Sequence, residues 1–553
     1  MKHLRRHLLE DSFVLILLGC LSALPYVASL GFYCDDWDYL GQFTVSPDQT
    51  FVGYCLKLFS TPTRLLMRPM HVFYLAGLYC LFGLNPLGYH VVNTLMLAAT
   101  AVAFLFILTE LGLPRHLAFG IPLVYSLLPN YSTDRFWCAA SQTTLSMAGY
   151  AVGFYLALAA LRKRNGSFYV WTVLSILALA VGLLAYELVV PLVCLTIVTL
   201  WLRGRKLDIP LPKLLVLSLA MITMLLAVIG FKFSVAHRVL HEVLNISQIK
   251  FTLLHLFDVK GRYYNWPYGL KLVTALQVNY IELGLYLPRA VYRIMSAKPL
   301  QLEFYISAVV AGTAFWYVKR IFGGGTKTYL RVFAASVIVF IAGYAIFLTS
   351  RDIQLTPAGM GNRVNIVAAA GVAMTLVSAG GMSSLLCSER YRSLIFAFLV
   401  SAFSFCACFV TNGIASYWAA ASLQQHAILD SLRTRVTSVE PGTTLLLEGI
   451  CPYVGPAPVF ESYLDFTGAL TVLYPNRSLK GDVLKNQTRF SPVGVRTAWF
   501  YNPNTYPYGE KLLIYDDANK ELYPLTSQSA RRPSALEGSV CRDQLEGLGV
   551  KIF

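Results

Sequence analysis

Charge is what this chain has least of. Only 13% of its 553 residues are Asp, Glu, Lys or Arg, roughly half the share a soluble chain carries. That shortage excludes an ordinary globular protein, and a 56% hydrophobic content with a mean hydropathy of +0.57 agrees. Eleven cysteines are present but no Cys-x-x-Cys pair, which removes the zinc-ribbon and dithiol redox motifs. The formal net charge is +16, yet no basic tract or RNA-binding motif accompanies it, so nucleic acid is not an expected partner. Internal repeats and low-complexity tracts are missing as well. A transporter would show an inverted repeat and charged or broken-helix sites at mid-membrane, so that class is disfavoured.

What is abundant is apolar runs of membrane-crossing length, about 20 residues each. Eleven spans are expected, near 12–31, 88–111, 116–132, 143–161, 168–186, 188–202, 213–233, 303–318, 330–348, 362–383 and 393–411. The opening segment resembles a signal peptide, but its apolar run is long and no small-x-small cleavage site follows. It reads as a retained first helix. Loop charges set the orientation. Segments 1–11, 112–117, 162–167, 203–213, 319–331 and 384–392 hold 17 Lys/Arg in 56 residues, against 3 in the 56 residues of 32–87. Basic loops face the cytoplasm, which puts loops 32–87 and 234–302 and everything after residue 411 on the other side. Loop 234–302 is itself basic, but long loops translocate regardless of charge. Its stretch "LKLVTALQVNYIELGLYLPRAVYRIM" is expected to lie along the membrane interface.

The expected fold is therefore an α-helical polytopic membrane protein with interfacial helices in its outer loops, 1–411, followed by a small soluble α/β domain, 412–553. In that tail "ASYWAAASLQQHAILDSLRTRV" has helical spacing, while "TTLLLEGI" and "KLLIYDD" read as strands. Cys451 and Cys541 both fall there, on the oxidising side, which leaves a disulfide open to them.

The densest acidic cluster sits where the chain first leaves the membrane, in "GFYCDDWDYL". Asp35, Asp36 and Asp38 are interleaved with Phe32, Tyr33, Trp37 and Tyr39. Aromatics at an interface anchor or line something. Adjacent carboxylates repel, so one pKa tends to rise toward neutrality, where a general base is effective. Downstream, Arg68-Pro69 opens a helix too short to span, and "GLNP" breaks it before a true span.

The acidic pair after the first helix, the "RP" helix and "FGLNPLGYHVVN" resemble the GT-C superfamily of membrane glycosyltransferases, most closely its protein O-mannosyltransferase-like (ArnT-like) branch. The segment "LLPNYSTDRFWCAASQTTL" resembles that branch's second outer loop, with Asp134, Trp137 and Gln142 at its acidic, Trp and polar positions. Glu187 falls where relatives have an acidic residue at the outer end of a helix, and "GMGNRVN" puts Arg363 at the outer mouth of a span. The resemblance covers about residues 12–411. Relatives often have Arg in place of Gln142 and Lys in place of Tyr186. The tail does not match the sugar-binding repeats of eukaryotic O-mannosyltransferases.

The resemblance implies transfer of a sugar from a polyprenyl-phosphate donor to an extracytoplasmic acceptor, a protein hydroxyl or a cell-envelope glycan or lipid, with inversion, in an integral membrane protein of the bacterial inner membrane. Asp35 is then the base, with Asp36 close behind and Asp134 orienting sugar or acceptor. Arg68 and Arg363 are the first candidates for the phosphate, because guanidinium forks fit phosphate oxygens; Arg135, Arg262 and Arg351 are further ones. Trp37, His71, His90, Trp137, Gln142 and Glu187 are expected to line the substrate site, and Glu187 is costly to bury without a role. A lipid monophosphate carries little charge, so Arg and Lys suffice; no cofactor is expected, and a divalent cation is the alternative. The rival activity is an O-antigen polymerase or ligase, which loop 234–302 would suit, though such an enzyme does not call for the acidic pair.

Overall fold

The computed structural model describes residues 2–526, apart from 241–245, 258–269, 298–300, 324–325, 351–352, 437–438, 476, 486–487 and 498–502. Helix α1 (Lys2–Ala23) leads through turns at 24–29 and a short irregular strip to α2 (Asp35–Thr44), α3 (Phe51–Phe59) and α4 (Pro69–Phe82), then to α5 (Pro86–Glu110) and α6 (Arg115–Leu127). A one-turn α7 (Thr133–Phe136) precedes α8 (Ser141–Leu161), α9 (Asn165–Ala185), α10 (Val190–Lys206) and α11 (Leu211–Arg238). Then come α12 (Ile246–Leu254), α13 (Leu272–Leu276), α14 (Leu283–Ala297), α15 (Leu302–Ile321), α16 (Thr326–Ala345), α17 (Ala368–Leu385) and α18 (Glu389–Arg435).

Local chemistry explains several boundaries. Thr50 caps α3 by accepting the Gly53 N–H, satisfying one of the orphan donors of the first turn. Helix α4 opens on Pro69 at its first turn and stops at Gly83, whose φ of +54° suits glycine. Asn85 then caps α5 through the Leu87 N–H, with Pro86 at the first helical position. The expected break between the fifth and sixth spans is real: Tyr186 is extended, φ −160°, and separates α9 from α10.

Among the described residues, eight helices are long and apolar enough to cross a membrane: 86–110, 138–161, 166–185, 187–206, 211–238, 327–349, 368–385 and 389–435. This is an integral membrane protein by that measure. Three of the eleven expected spans fall short. Helix α1 carries Glu10 and Asp11 and ends at Ala23, sooner than the expected 12–31. Helix α6 has only 13 residues, contains Pro122 and is buried along His116–Leu127, so protein surrounds it. Helix α15 bears Glu303 at one end and Lys319 and Arg320 at the other. The stretch of loop 234–302 expected at the interface is helical from Leu272 to Ala297 through a π segment at Gln277–Glu282.

No element boundary falls at 411/412. Helix α18 runs unbroken for 47 residues, about 70 Å at 1.5 Å per residue, so the helical stretch expected in the tail is its continuation. The strands are β1 (Thr444–Glu448), β2 (Tyr453–Val454), β3 (Ala457–Pro458), β4 (Lys480–Val483), β5 (Arg489–Ser491), β6 (Gly494–Arg496), β7 (Thr505–Pro507), β8 (Leu512–Asp516) and β9 (Glu521–Pro524), with α19 (Tyr463–Leu473) between β3 and β4. The main sheet has the order β4-β1-β8-β9, with β1 parallel to β4 and β8, and β8 antiparallel to β9. Both expected strands, β1 and β8, are its neighbouring central strands. Cys451 is disulfide-bonded; Cys541 lies outside the described residues.

Candidate active site

Three loops meet at one end of the helix bundle: 30–38, 129–142 and 359–365. The first is anchored by Tyr33, fully buried, whose hydroxyl donates to the Trp418 carbonyl at 2.6 Å and accepts the Gly31 N–H at 3.0 Å. Trp137 Nε1 donates to the Tyr33 carbonyl at 2.9 Å. Asp36 completes the seam: its Oδ2 accepts the Tyr33 N–H at 2.9 Å and its Oδ1 accepts the Ala139 N–H at 2.6 Å. The third loop is sewn in by asparagines. Asn362 accepts the Thr133 N–H at 3.1 Å and donates to Ser132 Oγ at 3.1 Å, and Asn365 donates to the Asn130 carbonyl at 2.8 Å.

Asp35, Asp36 and Asp38 stand in the first turn of α2, where the helix dipole favours negative charge. Their commitments differ. Asp36 is buried and spends both oxygens on backbone N–H groups; burial raises it to about 8 against the pull of those donors. Asp38 accepts from Gln42 Nε2 at 2.9 Å and is pushed to about 6 by burial and the neighbouring Asp35 charge. Asp35 is half-buried and accepts no hydrogen bond among the described residues. Burial raises its pKa, the Arg363 guanidinium pulls it back, and the Glu461 carboxylate raises it again.

Arg363 lies 4.8 Å from the centroid of the Trp137 ring, a cation–π contact, and makes no ion pair or hydrogen bond among the described residues. Its charge also acts on Asp134. That carboxylate is fully buried; Oδ1 accepts from Thr143 Oγ1, while Oδ2 has no partner. Burial holds Asp134 well above the usual carboxylate range.

A second cationic group sits nearby. Arg68 Nη2 is 2.8 Å from Glu187 Oε1, Arg68 Nη1 donates to Gln142 Oε1 at 3.1 Å, and Lys232 Nζ is 3.1 Å from Glu187 Oε2. The Arg68 guanidinium also covers the Tyr186 ring at 4.1 Å. One carboxylate between two cations leaves a net positive charge. The Tyr39 hydroxyl lies within Coulomb reach of both groups, its pKa raised by burial, Asp35 and Asp38 and lowered by Arg68.

The remaining expected residues divide. His71 is fully buried beside Arg68, neither ring nitrogen has a partner, and burial with the Arg68 charge lowers its pKa to about 3, so the ring is neutral. Trp37 is buried, with an unpartnered Nε1. His90 Nε2 is 2.9 Å from the Gly31 carbonyl and serves the seam of the first loop. Arg135 turns away: its Nη2 donates to the Ser126 carbonyl at 2.6 Å and to the Tyr131 hydroxyl at 3.1 Å, and its guanidinium lies 4.9 Å from the Tyr131 ring. It is thus committed to its own loop rather than open to a phosphate. Arg351 and Arg262 lie outside the described residues. Among those described, no group of three or more His, Cys, Asp or Glu is arranged to hold a metal ion.

Sequence reasoning missed Lys232 and Glu461. Lys232 had a signal, a lone cation in the apolar run "AVIGFKFSV", which is costly unless paired. Glu461 had none, because the fold brings it 427 residues back to Cys34, whose Sγ lies 3.7 Å from Glu461 Oε2.

No family model matches the chain, and no curated protein does. Among solved structures it is similar to ArnT from Cupriavidus metallidurans bound to undecaprenyl phosphate, with 14% identity over 86% of this chain and 89% of that one, TM-score 0.36. It is also similar to an oligosaccharyltransferase from Archaeoglobus fulgidus tethered to an acceptor peptide, with 10% identity over 80% of this chain and 62% of that one, TM-score 0.37. Superpositions this loose leave the chemistry to be read from the side chains themselves.

Proposed function

We propose that the chain is an integral membrane glycosyltransferase that moves a sugar from a polyprenyl-phosphate donor to an acceptor hydroxyl on the extracytoplasmic side, with inversion. The observation that carries this reading is the pairing of uncommitted groups. Asp35 and Arg363 act on each other electrostatically and have no hydrogen-bond partners among the described residues, while their neighbours Asp36, Arg135 and Asn362 are tied to backbone.

In this reading an Asp35 oxygen takes the proton of the acceptor hydroxyl. The hydroxyl oxygen attacks the anomeric carbon from the face opposite the phosphate, and the bond from that carbon to the phosphate oxygen breaks with its electron pair leaving on the phosphate. The sugar phosphodiester carries one negative charge and the released lipid phosphate approaches two. Cations that hold it therefore bind the transition state more strongly than the donor. Arg363, and Arg68 and Lys232 beyond the charge they share with Glu187, supply that field. His71 and Asp134 are fully buried, so a sugar hydroxyl reaches them only if the surrounding loops part. The acceptor is a protein hydroxyl or a cell-envelope glycan or lipid, and the contrast of 17 against 3 Lys/Arg over equal loop lengths supports a site facing outward.

The test is the purified protein in liposomes with labelled polyprenyl-phosphate sugars and membrane fractions. Label should pass from the lipid to an acceptor, leaving polyprenyl phosphate. Label that stays on the donor with every sugar and fraction would rule the reading out.

A further inference from the structure

The tail beyond α18 does not hang free of the acidic turn. Helix α19 lies across α2, one of the most extensive helix pairings in the molecule. The two backbones close at a glycine pair: a Cβ on Gly41 would stand 3.0 Å from Gly468 Cα, and one on Gly468 would overlap the Trp37 carbonyl. Any larger side chain at either position would push α2, and with it the carboxylate two residues before Trp37. In the first turn of α19, Asp465 caps the helix reciprocally with Ser462 and accepts the Glu461 N–H at 2.6 Å. That cap fixes the backbone from which Glu461 reaches Cys34, the residue that turns the chain into α2 at φ +47°. Glu461 is 8% exposed and hydrogen-bonded to the Tyr453 side chain.

We propose that the C-terminal domain is a working part of the active site, with Glu461 as a positioning residue that, together with the Gly41–Gly468 crossing, fixes and biases the Asp35 carboxylate. This deepens the glycosyltransferase reading and rests on it for the name of the reaction.

Asp35 is faced by Arg363 from the 359–365 loop, by Glu461 from the C-terminal domain, and by Asp36 and Asp38 on its own helix. Tyr39 and Cys34 flank it, and Asp465 and Tyr453 stand behind Glu461. Glu461 adds a negative charge from a separate element, opposing Arg363. Without it Asp35 would ionise at lower pH and be a weaker base.

The test uses full-length protein in lipid nanodiscs and does not depend on knowing the sugar. Dicyclohexylcarbodiimide labels protonated carboxyls, so the pH at which Asp35 labelling is half-maximal, read by peptide mass spectrometry, reports its ionisation. Glu461→Gln should lower that midpoint by about 0.5 pH unit or more, and Glu461→Asp should restore most of it. Gly468→Ala should raise the maleimide reactivity of Cys34 several-fold, because the displaced α2 uncovers it. A labelling midpoint unchanged in Glu461→Gln, or Cys34 left as protected in Gly468→Ala as in the parent, would overturn the proposal. If both effects appear while no donor sugar is transferred, the positioning stands and the glycosyltransferase reading fails.

Discussion

Asp11 and Asp35, at opposite ends of the helix bundle, are held in opposite ways. At the end away from the site, Asp11 is 2% exposed and saturated: Oδ1 accepts from Arg115 Nη2 at 2.8 Å and from the Tyr317 hydroxyl at 2.5 Å, and Oδ2 accepts from Arg115 Nε at 3.1 Å. Arg115 is completed by His7 Nδ1 at 2.9 Å and Glu10 Oε2 at 3.4 Å. The cluster joins α1, α6 and α15. At the site end, Asp35 and Arg363 have no such partners, one oxygen of Asp134 is empty, and both nitrogens of His71 are empty. Burial makes unpaired polar groups costly, so a fold retains them where a visiting molecule completes the set.

The strongest way to break that comparison is Asp35→Asn. The change keeps shape and removes the proton acceptor, so turnover should fall about 10²–10⁴-fold with expression and melting unchanged; near-parental turnover would remove Asp35 from the chemistry. Because Asp35 is raised from the ordinary carboxylate range, the parent's rate should climb with pH up to that raised pKa and level off above it. Asp11→Ala is the matched change at the other end. It leaves Arg115 with Glu10 and His7 alone and should cost about 1–3 kcal/mol of stability, read as a drop in melting temperature, with turnover per folded molecule unaltered. A selective loss of turnover there would dissolve the distinction. Arg363→Ala should weaken donor use by roughly 10–100-fold, the worth of charged hydrogen bonds of about 1.5–3 kcal/mol, and Lys should rescue only in part because it lacks the fork. Smallest is Asp36→Asn, which sets an amide NH₂ against one of two backbone N–H groups. It should cost about 1–3 kcal/mol in a thermal or denaturant melt, with a lesser effect on rate than Asp35→Asn.

Much of the site's outline was legible because it rests on local chemistry. The clustered aspartates, the Arg68-Pro69 start, the "GLNP" break and the hinge at Tyr186-Glu187 each depend on residues within one turn of each other. What could not be read was commitment. Asp35 and Asp36 are neighbours with the same side chain, and the Tyr33 N–H together with the distant Ala139 N–H makes one a tie and leaves the other free. Asp134 and Arg135 diverge for the same reason, Arg135 being drawn to the Ser126 carbonyl. Apolar content also counts a protein-enclosed helix such as α6 as a span, since burial in protein and burial in lipid select the same residues. The eleventh expected span was cut at 411 where polar residues such as Thr411 and Asn412 return, yet α18 continues because helical spacing persists beyond them.

The Tyr33 hydroxyl bond to the Trp418 carbonyl, across 385 residues, has a consequence for biogenesis. The acidic turn emerges from the ribosome early, but its anchor and the helix that braces it arrive last. At roughly 5–20 residues per second the wait is about 20–80 s, during which α1 and the first loop are inserted without their final packing. Truncated chains ending before Trp418 therefore carry Asp35 without the anchor of the strip that leads to it. The acidic turn is therefore completed only after Trp418 and α19 have been made, and a copy lacking them holds its aspartates without their final packing.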